Sequence, residues 1–284
     1  VLPEAQECVR PGENMVLELA EAINLIEPVT YEIKVRKGVT FHNGEPMTAD
    51  DVVFSLTRNG IEKGMEGKTS PRRTLLGNPV SVQKVDDYTV VVKLAAPLIQ
   101  PGRGFYNADI IPKKYFEQVG PEGFMKHPIG VGPFKWVEGD TTNQVVVERH
   151  ENYWGGAPEL PGKVDRVPAL DRVIFKFIPE PTTRVSALLT GEVDIIQSVP
   201  FDSISLLKSN PNVRVDGTPA TLITCLFTNT KQPPFNYKRV RQALAYAIDY
   251  KALTDELLLG YSDPLYGLPF LEPYKGEPGS GQFG

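Results

Sequence analysis

Three histidines and two pairs of adjacent aspartates are the residues of this sequence that could support acid–base chemistry or bind a metal ion. His42, His127 and His150 lack the His-x-x-x-His spacing that puts two imidazoles on one helix face. Asp50–Asp51 is expected in the first turn of a helix and Asp86–Asp87 in a hairpin turn, and aspartate is common at both places without any catalytic role. The sequence therefore predicts no metal site, no cofactor and no catalytic residue.

Motifs for nucleotide binding and for serine hydrolysis are not matched. The stretch from Gly156 to Lys163 resembles a phosphate-binding loop, but Ala157 replaces its first glycine and Val164 replaces its Ser or Thr. The sequence contains no Gly-x-Ser-x-Gly elbow.

The best-specified stretch is Thr30–Asn59, which we call the organising segment. Apolar and polar residues alternate from 31 to 36, which predicts a half-buried strand. Asn43 and Gly44 then predict a reversal with positive φ. Thr48 is placed to cap a helix whose first turn holds Asp50 and Asp51.

Further elements follow from periodicity and from turn residues. In the first half we expect a loop over 60–78, a hairpin over 80–94, a helix from Pro112 to near Gly120, and a hairpin formed by 134–137 and 144–149. In the second half we expect strands at 173–178, 195–196, 213–215 and 222–229, and helices at 182–191, 203–208 and 240–248. The order strand, helix, strand after residue 173 predicts parallel pairing and α/β architecture.

Candidate ligand-binding residues lie in the segment 96–107, which is rich in Pro and Gly and which we call the candidate loop. Binding residues concentrate on loops held by a rigid scaffold, so we nominate Arg103, Tyr106 and Asn107. An ordinary surface loop is the alternative. Phe227 and Asn229, at the end of a predicted strand that leads outward, are nominated as well.

Composition narrows the class of protein. A chain of 284 residues with 41% hydrophobic content is long enough for two domains. Its net charge of −5 and the absence of a long basic block argue against nucleic acid as a partner. No apolar run reaches the ~20 residues needed to span a bilayer. The sequence shows no signal peptide, which is expected both of an exported chain after processing and of a cytosolic chain. Cys8 and Cys225 either pair in an oxidising compartment or stay reduced, with Cys225 buried as a small apolar residue.

Five stretches, in the same order, resemble the family 5 extracellular solute-binding proteins, the peptide- and nickel-binding receptors of ABC importers. They are RKGVTFHNGEPMTADDVVFS, HPIGVGPFKWVEGD, VERHENYWGG, PEPTTRVSALLTGEVDI and PPFNYKRVRQALAYAIDYKAL. The resemblance covers Glu13 to Leu268.

The resemblance implies a two-lobed, type II periplasmic-binding-protein-like α/β fold with a mixed sheet, whose second lobe is largely absent from this chain. We expect residues 1–43 to open lobe I, 44–164 to form an inserted subdomain, 165–229 to return to lobe I, and 230–284 to start lobe II. The implied protein is an exported monomer, periplasmic or tethered to the cell surface. It delivers a peptide, opine, sugar or nickel complex, with peptides favoured, to an ABC permease, and one lobe alone is expected to bind weakly.

Two other classes of function stay open at the level of the residues. One is a hydrolase or transferase with its catalytic residues outside this stretch. The other is a holdase-like module that binds unfolded chains through exposed strand edges.

Overall fold

The organising segment forms the centre of the first unit of the protein. The computed structural model describes residues 17–98, 105, 108–156, 167–217 and 226–262. The chain divides into two units, Val1–Phe177 and Ile178–Gly284.

A four-stranded antiparallel sheet forms the scaffold of the first unit. Its strands are β1 (Ala20–Glu27), β2 (Thr30–Val35), β3 (Pro79–Asp86) and β4 (Thr89–Leu94), in the spatial order β1-β2-β4-β3. Both the strand and the hairpin predicted here are confirmed. Tyr31, Ile33 and Val35 of β2 are buried, as the alternation of apolar and polar residues predicts.

Helix α1 (Ala49–Gly60) packs against β3 and β4. The predicted N-cap is confirmed, since Thr48 is extended and Asp50 and Asp51 lie in the first turn. The core between the helix and the sheet is made of large apolar side chains. They include Tyr31, Phe41, Met47, Leu56, Leu76, Val90, Val92 and Leu94. The loop over 60–78 contains a short 3-10 turn, Pro71–Arg73, and contributes Leu76 to this core.

The predicted reversal before α1 is confirmed at Gly44, whose φ is +83°. A Cβ at Gly44 would meet nothing within 4 Å, so a substitution there is strained by the backbone alone. We expect Gly44→Ala to lower the free energy of unfolding of the first unit by about 1–2 kcal/mol. Trp136 and Trp154, the two tryptophans, lie in this unit, so tryptophan fluorescence during urea unfolding reports it selectively.

A matched control is Gly132→Ala, because Gly132 also has open space around it but lacks a positive φ. Equal unfolding midpoints for the two variants would remove the backbone requirement at Gly44.

The first unit continues with α2 and a second antiparallel sheet. Helix α2 (Lys113–Lys126) was predicted to end near Gly120, and its regular geometry does break there, with φ +69°, before a second helical stretch follows Pro121. The sheet has the order β5 (Phe134–Gly139), β6 (Gln144–Arg149) and β7 (Arg172–Lys176). The hairpin β5-β6 and the strand β7 confirm the sequence prediction. The domain limits at 43, 164 and 229 stay a prediction.

The second unit begins with α3 (Pro181–Leu189), whose N-cap is Glu180. The helix was predicted from residue 182. It begins one residue earlier, because Pro181 takes the first helical position and the Glu180 carboxylate accepts from the Thr183 N–H at 2.8 Å. The strand predicted at Ile195–Ile196 is absent, and Ile195 is 83% exposed. The parallel pairing expected between it and β7 is therefore wrong as well, since β7 instead pairs antiparallel with β6.

Two further strand predictions are not confirmed over the residues that the structure describes in the second unit. Residues 213–215 and 226–229 form no strand, whereas 222–225 lie outside the described residues. The described residues of this unit also form α4 (Ile204–Ser209), α5 (Lys238–Ala247) and α6 (Tyr250–Ala252), with a 3-10 turn at Phe201–Ser203 and a π-helical turn at Leu253–Leu257. Across the described ranges, no helix is both long enough and apolar enough to span a membrane.

Candidate functional site

Two buried polar side chains of α1 fix the chain that follows the candidate loop. The Asp51 carboxylate, 9% exposed, accepts from the Lys113 N–H at 2.9 Å through one oxygen and from the Thr48 N–H at 2.9 Å through the other. The Ser55 hydroxyl, 1% exposed, accepts from the Ile111 N–H at 3.0 Å. Asp51 therefore caps α1 and also sets the position at which α2 begins.

The candidate loop is tied to the core at Phe105, its one described residue beyond Leu98. The Phe105 ring meets the buried Tyr31 ring edge to face, with 5.6 Å between centroids. The Ala108 N–H donates to the Phe105 carbonyl at 3.0 Å, and Ile110 enters the core. The C-terminal side of the candidate loop is therefore held by the core, as a binding loop on a rigid scaffold would be.

Of the five nominated ligand-binding residues, two lie within the described residues. Arg103, Tyr106 and Asn107 lie outside the described residues, as do Cys8 and Cys225. Phe227 and Asn229 belong to the second unit. The Phe227 side chain is 89% exposed, and the Asn229 side-chain oxygen accepts from the Lys231 N–H at 3.0 Å in a local turn.

A histidine clamp, formed by His42 with Gly130 and Gly132, joins the organising segment to the second of the five stretches. The His42 Nε2–H donates to the Gly132 carbonyl at 3.0 Å, and Nδ1 accepts from the Gly130 N–H at 3.2 Å. These two bonds fix the neutral tautomer that carries its proton on Nε2. Burial lowers the pKa of His42 below its ordinary value; the Gly132 carbonyl opposes this shift, and positive charge at His150 and Lys135 adds to it.

His150 lies against the clamp from the end of β6. Its ring is edge-on to the His42 ring, with 5.1 Å between centroids, and it is 8% exposed. Its Nδ1 has no hydrogen-bond partner in the part of the chain that the structure describes. The Trp154 indole N–H donates to the Val131 carbonyl at 2.8 Å, so residues 130–133 are held from two sides.

Sequence reasoning missed this arrangement because it treated the three histidines as unrelated. All three histidines stand inside one of the five stretches, so the sequence carries no signal that singles out the pair His42 and His150. His127 meets Trp136 instead, with 4.7 Å between ring centroids. Within the described ranges, no three His, Cys, Asp or Glu residues are grouped so that they could hold a metal ion.

A depression of about 430 Å³ opens beside the start of α1. It is lined by Phe41, Glu45, Pro46, Thr48, Asp50, Asp51, Lys113, Lys114 and Glu117. The Asn43 amide and the Lys114 ammonium lower the pKa of Glu45, so this carboxyl stays ionised and is poorly suited to act as a general acid. Asp50 is paired with Lys84 and Asp51 with backbone N–H groups, which indicates a structural role for these carboxylates.

Comparison with known proteins decides the family. The model of the bacterial extracellular solute-binding proteins, family 5 middle, matches residues 14–282. The chain belongs to this family. The histidine clamp, and Asp51 and Ser55 of α1, lie in the stretches by which the sequence resembles family 5.

Individual relatives agree with this assignment. The chain is 32% identical over 257 residues to heme-binding protein A of Haemophilus influenzae, covering 82% of this chain and 44% of the relative. It is 30% identical over 246 residues to the glutathione-binding protein GsiB of Pectobacterium atrosepticum, covering 84% and 44%. The structure of the oligopeptide-binding protein AppA of Bacillus subtilis, in complex with a nonapeptide, matches with a TM-score of 0.67 and 28% identity, covering 89% of this chain and 49% of AppA.

This family 5 chain has the mixed α/β fold of the type II periplasmic binding proteins. It spans about half the length of the relatives it matches. The relatives compared are named as binding proteins, so the family gives no support to a hydrolase or transferase.

Proposed function

We propose that this chain is part of the extracytoplasmic receptor of an ABC importer, and that it captures a peptide or peptide-like solute. The match of the family 5 model over residues 14–282 is the observation that carries the proposal. The receptor acts by reversible binding and catalyses no reaction on its solute. It is a monomer outside the cytoplasm, periplasmic or tethered to the cell surface, and its partner is a membrane permease.

The preference for peptide-like solutes is supported by two relatives, one named for glutathione and one solved with a nonapeptide. Such solutes carry a carboxylate, amide N–H groups and carbonyls. A site for them needs a few well-placed polar groups within an otherwise apolar enclosure. Opines, sugars and nickel complexes are the competing solutes.

For the first unit we propose Arg103, Tyr106 and Asn107 as solute contacts. A guanidinium pairs two-pronged with a carboxylate, and phenol and amide groups bond to peptide N–H and carbonyl groups. The support is that the chain around and after these residues is held in place. Phe105 packs on Tyr31, and the Ile111 and Lys113 N–H groups bind side chains of α1. For the second unit we propose Phe227, which offers an exposed ring for apolar contact, and Asn229.

The solute class is tested by thermal unfolding of the 284-residue chain with glutathione, trialanine, a nickel–histidine complex and a sugar. We expect the two peptide-like solutes to raise the melting temperature and to be recovered unchanged after denaturation. Arg103→Ala should abolish the shift, whereas Arg172→Ala, which removes an exposed arginine paired with Glu138, should keep it. Stabilisation by the nickel complex or the sugar alone would contradict the proposed class.

A further inference from the structure

The histidine clamp has properties that solute binding does not require. It joins residues more than 80 positions apart in the sequence, 42 with 130 and 132, through both nitrogens of one imidazole. We propose that His42 is an acid-sensitive latch, whose ring binds the Gly130 N–H when it is neutral and releases this N–H when it is protonated.

The first step is that the clamp leaves no place for a second proton on the ring. Nδ1 accepts from the Gly130 N–H at 3.2 Å, and this bond needs the nitrogen lone pair. Protonation converts Nδ1 into a donor that faces another donor. The bond from the Gly130 N–H to the ring is then lost. The bond from Nε2 to the Gly132 carbonyl and the backbone bond from the His42 N–H to the Gly130 carbonyl, at 2.9 Å, are kept.

The second step is that the surroundings oppose the charged ring. His150, at the end of β6, and Lys135, on β5, both place positive charge where it disfavours a protonated His42. On the Trp154 side the charged group is Arg36, whose guanidinium lies 6.0 Å from the indole centroid. The His150 ring is edge-on to the His42 ring, with 5.1 Å between centroids, and its Nδ1 has no hydrogen-bond partner among the described residues.

The direction of the pH dependence follows from these two steps. The pKa of His42 is lower in the folded chain than the 6.5 of an unperturbed histidine. The unfolded chain therefore binds the proton first as the pH falls. The stabilisation from the clamp is complete above pH 6.5 and is lost as the pH drops from there through the folded-state pKa.

Hydrogen exchange at the Gly130 amide measures the latch directly, since this N–H is the one that Nδ1 accepts. We expect its protection factor, corrected for the intrinsic exchange rate, to fall at least about tenfold between about pH 7.5 and pH 5. The amide of Ile33, in the buried strand β2, serves as the internal control and should keep its protection. Equal behaviour of the two amides would overturn the proposal.

Two variants separate the latch from general acid sensitivity. His42→Asn keeps a side-chain acceptor for Gly130 but cannot titrate, so the protection of Gly130 should become independent of pH. His150→Gln removes a charge that opposes protonation of His42, so the loss of protection should move to higher pH. The same pH dependence in His42→Asn as in the natural chain would refute the latch.

A measurement on the unmodified chain covers the case in which His42→Asn fails to fold. The ¹⁵N chemical shifts of the two ring nitrogens report tautomer and protonation. The latch requires an Nε2–H tautomer at neutral pH and a titration that coincides with the loss of Gly130 protection. A ring protonated on Nδ1 at neutral pH would contradict it.

Discussion

Asp51→Ala should lower the free energy of unfolding of the first unit by about 3–5 kcal/mol. The substitution removes a carboxylate that accepts from two backbone N–H groups, those of Thr48 and Lys113. Hydrogen bonds to a charged group contribute roughly 1.5–3 kcal/mol each, and a carboxylate in the first turn also favours the positive end of the helix. Urea unfolding followed by tryptophan fluorescence measures the effect in this unit.

The neighbouring residue provides a matched control for this prediction. Asp50 is more exposed than Asp51 and is paired with Lys84, so Asp50→Ala should cost no more than about 1 kcal/mol. The amide exchange of Ile111 and Lys113 should also rise in Asp51→Ala and not in Asp50→Ala, because α1 would no longer hold the start of α2. Equal losses in the two variants would show that Asp51 acts only as a helix-start charge.

Tyr31→Ala should destabilise the first unit by about 3–5 kcal/mol, the range for deleting a large aromatic side chain from a core. Tyr31 is almost fully buried in β2 and supports the Phe105 ring. The same substitution at Tyr246, an exposed residue of α5, should change stability by no more than about 0.5 kcal/mol.

The Phe105 contact itself is separated from burial by a double-mutant cycle. Tyr31→Leu and Phe105→Leu, alone and together, should give a coupling of about 0.5–1.5 kcal/mol for the aromatic pair. A coupling of zero would mean that Phe105 lies on the core without being fixed by Tyr31. The candidate loop would then lack its described anchor.

The organising segment was predictable because several independent signals agree along it. Alternation defined β2, Asn43–Gly44 defined the reversal and Thr48 defined the helix start, and each depends on residues close in sequence. The structure confirms all three. Local rules work where a stretch of chain carries its own turn, cap and apolar face.

The second half was less predictable because its short apolar runs fit more than one structure. Ile195–Ile196 were interpreted as a buried strand, yet Ile195 is almost fully exposed. Helix α3 was predicted from residue 182, whereas Pro181 takes the first helical position and Glu180 caps the helix. Neither outcome is encoded in apolar periodicity.

The features of the candidate site were only partly accessible from sequence. A loop fixed by a scaffold was predicted, but the fixing groups were not. Asp51 had been interpreted only as a residue of the first helical turn, and Ser55 had been given no role. The histidine clamp depends on contacts between residues 42, 130, 132 and 150, which no local pattern reveals. Such contacts become visible only when distant segments are placed in space.

Native mass spectrometry of the 284-residue chain with glutathione or trialanine tests reversible solute capture most directly. The chain spans about half the length of its relatives, so each solute is supplied at up to about 1 mM, where a binding free energy near −4 kcal/mol gives half saturation. We predict a one-to-one complex that releases the solute with its mass unchanged. A solute of altered mass, or no complex with either solute, would contradict the assignment of this chain to reversible capture of peptide-like solutes.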